Sequence, residues 1–365
     1  MASITVGQGK QFSTLAAAVA ASKDGDTLYL DAGTYTANDL QINTKISIVG
    51  VGGMAKLVSS QTLDKGILVT NTDVTVDHIE FAGAKGWSNN GAGIRYQDGN
   101  LTVKNCYFHD NQDGILGNNS SGNVRITNSE FAKNGAGDGY SHGIYINHVA
   151  SLYVGDSYFH DTNNGNQIKS RALKTTVENT RIDDGTNGNV IYSIDLPNGG
   201  DAVVRNNTII QAGNPSNKAI IHFGGENGMN ASATLDVAGN TIVNDYTGGG
   251  TAVLNQTGTT IGVHDNHLYG SMTLLQGPGT NVNNTMLSSH PTMDASHPWQ
   301  GVSSQPAPAP EPAPAPAPAP TPAPAPTPTP TDSHVLTVGA GKQYSTLTAA
   351  VAAAKDGDTI KLDAG

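Results

Sequence analysis

The sequence has little cysteine, few aromatic residues and little charge, and each shortage excludes a class of protein. Its single cysteine, Cys106, rules out an intramolecular disulfide and a zinc site built on several cysteines. Aromatic residues make up 5% and charged residues 13% of the 365 residues. The chain has no apolar run of the roughly 18 residues that a membrane-spanning helix needs. The opening MASITVGQGK lacks the basic and apolar regions of a signal peptide.

The net charge of -11 argues against nucleic acid as a partner, because phosphate binding needs a basic surface. A local cluster of Lys and Arg could still bind an anionic polysaccharide against this acidic background. The residues that are abundant, with 44 glycines and many Asn, Asp, Thr and Val, favour an all-β protein with short strands and many turns.

The first 44 residues predict a cap of helix and strand. Ser13 is a candidate N-cap for the Ala-rich segment TLAAAVAASK, and Asp24-Gly25-Asp26 ends that helix before the alternating strand TLYLDAG. A short helix placed across the end of a stack of strands would cover its apolar interior and free edges. With the turn Gly33-Thr34-Tyr35, this stretch resembles the opening of pectin-lyase-like β-helix proteins.

A repeat begins near residue 45 and continues to about residue 290. Its template is an apolar residue, any residue, Asn or Asp, two variable residues, and then Phe or an aliphatic residue. The instances begin at Val76, Val103, Ile126, Val154, Val177, Val204, Val237, Val263 and Val282, with His78 and Gly239 at the Asn/Asp position of the two that begin at Val76 and Val237.

This repeat predicts a right-handed parallel β-helix over residues 45–290, with the N-terminal helix as its cap. Equivalent residues of successive coils would stack about 4.8 Å apart, so the apolar positions form interior columns. The Asn/Asp position would lie at a sharp bend, because Asn tolerates the left-handed backbone conformation, and its amides would form a ladder.

The chain divides into three parts on this interpretation: a β-helix domain over 1–300, a Pro/Ala/Thr-rich linker over 301–334, and a third segment over 335–365. Alternate prolines favour an extended polyproline spacer. Residues 336–365 repeat residues 4–33 without a gap, which predicts the start of a second, tandem β-helix module. Without its coils this segment could not bury a core, and we expect at most a helical turn in it.

Each coil also carries a second strand, in which an inward Ile or relative is followed by an outward residue. Stacking these strands predicts one exposed column: Arg95, Leu116, Tyr145, Lys169, Asp195, His222 and Asn255. Arg171 lies two positions after Lys169 and shares its face. The other outward positions of the coils are mostly Thr, Ser, Asn and Gly, so this group of ionisable residues stands out.

These side chains suit chemistry on an acidic sugar. A cation neutralises the carboxylate, a base removes the adjacent C–H proton, and an acid protonates the leaving oxygen or returns a proton to the other face. Protonation of the leaving oxygen gives a lyase reaction, and return of a proton to the other face gives a C5 epimerase reaction. The predicted catalytic residues are Tyr145, Lys169, Arg171, Asp195 and His222. The predicted substrate-binding residues are Arg95, His142, Glu226 and Asn255.

A resemblance to known families covers the same region. The run from SHGIYIN through NQIKSRALKTTVENTRI and IDLPNGG to HFGGEN resembles a bacterial right-handed β-helix family with phrases of this type. More distantly, NQIKSRALKTTVENTRI is similar to a coil of β-helix alginate and chondroitin lyases, which implies that Lys169 is the base. The next coil carries Asp195 where those lyases have an Arg. The Tyr, Lys, Asp and His set is similar in kind to that of mannuronan C5 epimerases, whose Asp-Pro-His-Glu sequence is absent here.

Two other functions fit the sequence. A glycoside hydrolase would use Asp195 with a second carboxylate such as Glu226, and a non-catalytic carbohydrate-binding or adhesion module would use tandem β-helices on a spacer for multivalent attachment. The predicted partner is an acidic polysaccharide, and the predicted location is secretion or the bacterial cell surface. No cofactor is required; calcium is compatible with carboxylates and anionic sugars, although no EF-hand or Gly-rich nonapeptide loop occurs.

Overall fold

Parallel strands dominate the structure, a computed structural model that describes residues 1–186, 188–291 and 334–363. They form a parallel β-solenoid of about 12 turns, which confirms the predicted all-β parallel β-helix. Every strand pairing within it is parallel, as the coil-to-coil repeat requires. The predicted linker over 301–334 lies outside the described residues, apart from residue 334.

Two sheets make up the solenoid, and each coil contributes strands to both. The large sheet has 21 strands: Ser3–Val6, Thr27–Thr36, Ile46–Val58, Val74–Asp77, Ile79–Ala82, Leu101–Lys104, Tyr107–His109, Asn123–Thr127, Glu130–Ala132, Ser151–Gly155, Tyr158–His160, Lys174–Glu178, Arg181–Asp183, Gly200–Arg205, Thr208–Gln211, Ala233–Ala238, Thr241–Asn244, Ile261–His264, His267–Tyr269, Gly279–Val282 and Thr285–Met286. The ten-stranded sheet contains Leu40–Ile42, Gly66–Thr70, Ala92–Tyr96, Asp113–Gly117, Ile144–Ile146, Ile168–Ser170, Ile194–Leu196, Ala219–Phe223, Gly250–Asn255 and Met272–Gln276.

A helix over Leu15–Ala21 packs at the N-terminal end of the stack, as the sequence predicts. Its N-cap is Thr14 rather than Ser13: the Thr14 hydroxyl accepts a hydrogen bond from the Ala17 backbone N–H at 3.3 Å. Either hydroxyl suits an N-cap chemically, and the backbone turn places Thr14 at that position. Leu15 and Val19 are buried against the first coils, so the helix covers the apolar interior.

The interior is filled by columns of identical or similar side chains. Phe81, Phe108, Phe131 and Phe159 stack ring on ring, with centroids 4.5–4.6 Å apart and nearly parallel planes. This spacing follows the distance between paired strands, because equivalent residues of successive coils lie directly above one another. Cys106 is also buried.

The bend that follows the first strand of each coil has the predicted left-handed backbone. Residues with positive φ at this position include Asn105 (φ 53), Asn128 (φ 47), Asp156 (φ 47), Asn179 (φ 50) and Asn206 (φ 56). The last predicted repeat is one residue out of register, because Asn281 and not Val282 pairs with Val263.

The hydrogen-bonded ladder lies one residue later than the sequence predicts. In each coil after that of Cys106, a side-chain oxygen at this position accepts a hydrogen bond from the backbone N–H of the equivalent residue in the previous coil. The residues that supply these oxygens are Ser129, Ser157, Thr180, Asn207, Asn240, Asn266 and Asn284, all of them buried except the half-exposed Asn284. The left-handed residue turns the chain outward, and the following side chain is the one that points along the stack.

The outer face of the large sheet also carries ionisable side chains, so the expectation that the other outward positions are mostly Thr, Ser, Asn and Gly is wrong there. Two histidines of this face each lie between two carboxylates. His160 contacts Asp161 through Nδ1 at 2.7 Å and Glu130 through Nε2 at 3.0 Å, and His109 repeats this arrangement with Asp110 and Glu80. Burial lowers the pKa of both imidazoles, but the hydrogen bonds and charges of the carboxylates outweigh it and leave each pKa raised.

The raised pKa values predict that the domain is more stable at mildly acidic pH. The stabilisation is fully present below the unfolded-state pKa of about 6.5 and is lost as the pH rises through the folded-state pKa. We therefore expect a higher urea midpoint at about pH 6 than at about pH 8.5. The double variant His109→Gln/His160→Gln should show a smaller difference, and an equal difference in both proteins would contradict this assignment.

The C-terminal segment forms a small unit of its own. Strands Val335–Val338 and Thr359–Leu362 pair in parallel, and the helix Leu347–Ala353 lies between them in sequence with Thr346 as N-cap. The expectation of at most a helical turn is therefore wrong, because the near-identical sequence forms the same elements as the N-terminal cap. Leu347, Val351 and Leu362 are exposed, whereas the equivalent apolar residues of the first cap are buried.

Candidate active site

One outward column of the ten-stranded sheet brings together most of the ionisable residues that the sequence singles out. Tyr145 pairs with Lys169, Lys169 with Asp195, and Asp195 with His222 on four successive coils. The strands that carry them are short and regular, with an inward Ile before each outward residue. This alternation places the four side chains on the same face of the sheet.

Lys169 lies between two carboxylates. Its Nζ is 3.1 Å from Asp195 Oδ2 and 3.1 Å from Glu226 Oε1, and its side chain is largely buried. Burial lowers the pKa of the amine, but the charges of Asp195 and Glu226 outweigh this effect and the pKa is raised. Lys169 is therefore an ammonium ion in this state, which has no lone pair to accept a proton.

Arg171 connects the neighbouring side chains through its guanidinium. Its Nε donates to the Tyr145 Oη at 2.8 Å, Nη1 donates to the Asn198 side-chain oxygen, and Nη2 pairs with Glu226 Oε2. Glu226 thus holds Lys169 with one oxygen and Arg171 with the other. Burial raises the pKa of Glu226, but the two cations lower it further than burial raises it.

Asp195 is the buried anion at the centre of the cluster, only 2% exposed. Besides Lys169, it accepts hydrogen bonds from Asn166 Nδ2 at 2.9 Å and contacts His222 Nδ1 at 2.7 Å. Burial raises the pKa of this carboxyl, but the His222 hydrogen bond and the Lys169 charge outweigh it, and the pKa is lowered. Asp195 therefore stays ionised at neutral pH.

His222 and His142 have opposite protonation behaviour on the two sides of the cluster. Burial lowers the pKa of His222, but its contact with Asp195 more than compensates and raises it. For His142, burial and the nearby Lys169 charge lower the pKa to about 3, so its imidazole is neutral. His142 Nδ1 accepts the Asn166 backbone N–H at 3.0 Å, which puts the ring proton on Nε2, and the ring meets Tyr145 edge-on at 5.6 Å.

Two of the predicted substrate-binding residues lie away from this cluster. Asn255 pairs with Phe223, and Leu254 is the residue beside His222, so the prediction that places Asn255 in the column is wrong. Val253 and Leu254 are both apolar, so the sequence does not show which of them points inward. The prediction takes Leu254 as the inward residue, whereas Val253 pairs with the inward Ile221, and this shift of one residue moves Asn255 to the other face. Arg95 is in the column, separated from Tyr145 by Leu116.

Three further polar residues belong to the site and are not among those that the sequence predicts. Asn166 supports both Asp195 and His142, Asn198 holds Arg171, and Gln256 lies 2.9 Å from His222 Nε2. Asn198 belongs to the phrase IDLPNGG that carries the family resemblance, which was a usable signal. Asn166 and Gln256 come from turns next to the strands, and no pattern in the sequence distinguishes them from ordinary turn residues.

The cluster does not fit a calcium site as it stands. Calcium takes six to eight oxygen ligands, whereas the oxygens of Asp195 and Glu226 face the nitrogens of Lys169, Arg171 and His222. Among the described ranges, no group of three or more His, Cys, Asp or Glu side chains is arranged to hold a metal ion.

None of the helices in the described part of the chain has the length and apolar character to cross a membrane.

Comparison with known proteins agrees with the architecture. Residues 65–242 match the family model described as the right handed beta helix region. The match covers just under half of the chain and agrees with the parallel coils in describing a right-handed parallel β-helix. A search of curated proteins finds no match.

Two solved structures illustrate the likeness. An alginate lyase from Paenibacillus sp. str. FPU-7 has 20% sequence identity and a TM-score of 0.55, covering 77% of this chain and 98% of that one. The ORF18 protein of Geobacillus virus E2 has 17% identity and a TM-score of 0.51, covering 72% of this chain and 54% of that one. At these identities the likeness is one of fold.

Proposed function

We propose that this β-helix acts on an acidic, uronate-containing polysaccharide as a lyase or C5 epimerase. The single observation that carries the proposal is the pair of cations, Lys169 and Arg171, that already holds a carboxylate, that of Glu226, beside the Tyr145 hydroxyl. A uronate carboxylate has the same charge and the same two oxygens. The related fold of the Paenibacillus alginate lyase supports this assignment, since that protein is named for such a reaction.

In this proposal, Lys169 and Arg171 neutralise the substrate carboxylate and so stabilise the negative charge that develops when the C5 proton leaves. Tyr145 is the proton-transfer group: Arg171 donates to its oxygen, which stabilises negative charge there. After the Tyr145 hydroxyl has given its proton to water, its oxygen takes the C5 proton. In elimination the C4–O4 bond breaks as the C4–C5 double bond forms, and the Tyr145 hydroxyl gives the proton to O4. In epimerisation a water molecule on the opposite face protonates C5, and the Tyr145 hydroxyl returns its proton to the hydroxide that is left.

The assignment of roles differs from the one that the lyase resemblance implies. That resemblance makes Lys169 the base, but an ammonium ion held by two carboxylates cannot accept a proton. We therefore assign Lys169 to binding of the substrate carboxylate. Asp195 in turn supports Lys169 and His222. His142 is assigned to orienting the Tyr145 ring.

Hydrolysis is less well supported than elimination or epimerisation. A glycoside hydrolase needs one carboxylic acid that stays protonated to serve the leaving group. The pKa values of Asp195 and Glu226 are both lowered by their cationic neighbours after the opposing effect of burial. Neither group meets this requirement in the arrangement seen here.

The proposed substrate implies a place of action outside the cell or at its surface. We also expect residues 335–365 to begin a second β-helix whose coils would cover the exposed Leu347, Val351 and Leu362. Two such modules joined by a proline-rich spacer would bind a polymer at two points, which raises the overall affinity.

Incubation of the protein with alginate, polygalacturonate and chondroitin tests the proposal. Absorbance near 230 nm marks the unsaturated product of elimination, and deuterium uptake at C5 in heavy water marks epimerisation. Lys169→Ala should lower either rate at least about tenfold, because the substrate carboxylate loses one of its two cations. Lys174→Ala, an exposed lysine of the large sheet, is the matched control and should keep the rate.

Three outcomes would redirect the assignment. New reducing ends without unsaturated product would indicate a hydrolase. Binding without any product would indicate a carbohydrate-binding module. Equal rates in the wild type and Lys169→Ala would remove this cluster as the site of the reaction.

A further inference from the structure

The loop that follows the strand Ala219–Phe223 carries Glu226 to the front of the cation pair. Gly224 and Gly225 turn the chain with φ values of 88° and 92°, a left-handed conformation that glycine adopts without strain. Beyond them, Glu226 N donates to the Pro197 carbonyl at 3.2 Å. The two glycines place a carboxylate over a site built by other coils, and they are also the positions at which the backbone can turn differently.

The rest of the loop is tied down independently of the Glu226 side chain. Asn198 Nδ2 donates to the carbonyls of Asn227 at 2.7 Å and Gly228 at 3.0 Å, and Asn230 Nδ2 donates to the Ala172 carbonyl at 3.1 Å. These bonds hold the loop backbone against the coil of Arg171. The Glu226 side chain can therefore leave its partners while the loop remains attached.

Glu226 covers the cations from the solvent side. Its side chain is 40% exposed, whereas those of Lys169 and Arg171 are 13% and 16% exposed. Its two oxygens serve the two cations separately, one oxygen for each. A ligand carboxylate that binds Lys169 and Arg171 must take the place of these oxygens.

We propose that Glu226 is an internal substitute for the substrate carboxylate, displaced only by a ligand that brings a carboxylate of its own. The proposal rests on the proposed function and adds to it a device that selects the class of substrate. An acidic saccharide exchanges one carboxylate for another and leaves both cations paired. A neutral saccharide would leave Arg171 without a carboxylate and Lys169 with Asp195 alone, which is unfavourable for largely buried cations.

Glu226 then reduces the apparent affinity for an acidic ligand, because only the molecules in which Glu226 has left the cations can bind it. A site that is open in about one molecule in ten binds about tenfold more weakly than an open site. Removal of the Glu226 charge should remove this reduction. Glu226→Gln keeps the shape of the side chain and makes the carboxylate a neutral amide.

Isothermal titration with trigalacturonate, trimannuronate and the neutral cellotriose tests the proposal. Glu226→Gln should bind the acidic trisaccharide that the wild type recognises about tenfold more tightly, and should bind cellotriose no better than the wild type. Glu178→Gln is the control: Glu178 is also paired with an arginine, Arg205, but lies on the large sheet. It changes the net charge equally and should leave the affinity unchanged.

The results separate this proposal from the proposed function. If the wild type binds and turns over an acidic polymer but Glu226→Gln binds the trisaccharide equally or more weakly, Glu226 does not compete with the ligand and the device is absent. If Glu178→Gln tightens binding as much as Glu226→Gln, the effect is one of net charge and the device is again overturned. If neither the wild type nor Glu226→Gln binds any acidic saccharide, the proposed function fails together with it.

Discussion

Tyr145→Phe is expected to lower the rate of product formation by at least about 100-fold, the lower end of what a positioned acid–base group contributes. The variant removes only the hydroxyl oxygen that accepts the hydrogen bond from Arg171 Nε. The ring and its edge-on contact with His142 remain, so the fold and the affinity for an acidic trisaccharide should change little.

Two measurements separate a role in proton transfer from a structural role. The rate at saturating substrate should fall while the dissociation constant stays nearly constant, which is the signature of an interaction made in the transition state. Tyr153→Phe is the matched control, because it removes a hydroxyl that donates a hydrogen bond to Glu178 on the large sheet, away from the site. A fully active Tyr145→Phe protein would show that another group transfers the proton.

Asp195→Ala is expected to destabilise the domain by about 3–5 kcal/mol, since it leaves a largely buried ammonium without one of its partners. Asp195 contacts Lys169, His222 and Asn166, and the side chains of all three are largely buried. Urea unfolding at neutral pH measures the effect. Asp195→Asn should lose less, because the amide oxygen can still accept one of these bonds.

The matched control for this variant is Asp201→Ala. Asp201 is an exposed carboxylate of the large sheet that bonds to the hydroxyls of Ser232 and Thr234. Its removal should change the free energy of unfolding by about 1 kcal/mol or less. If Asp195→Ala lowers the free energy of unfolding by no more than Asp201→Ala does, the contacts of Asp195 with Lys169 and His222 contribute little to stability.

The arrangement of Lys169 illustrates how a site can differ from the role that its sequence suggests. Its position on a strand between Tyr145 and Asp195 follows from the repeat. Its protonation state does not, because it depends on Glu226, which is 57 residues away in the chain. Lys169 is therefore a cation paired with two carboxylates and not the base that the resemblance implies.

A shift of one residue has different consequences at the bends and at Asn255. At the bends, the sequence predicts the left-handed Asn positions, but the next residue, such as Ser129 or Asn207, forms the hydrogen-bonded ladder. This shift left the fold prediction intact, because both positions belong to the same turn. At Asn255 a shift of one residue moved the side chain off the outward face and removed it from the site.

The sequence by itself determined the parallel β-helix, the cap helix and the column from Tyr145 to His222, because these depend on a spacing that recurs along the chain. A repeat of about two dozen residues leaves one way to stack equivalent positions. Only the tertiary structure decided that Glu226 bridges Lys169 and Arg171, and that Asn166, Asn198 and Gln256 complete the cluster. Those residues come from turns, whose path is set by contacts between coils and follows no period in the sequence.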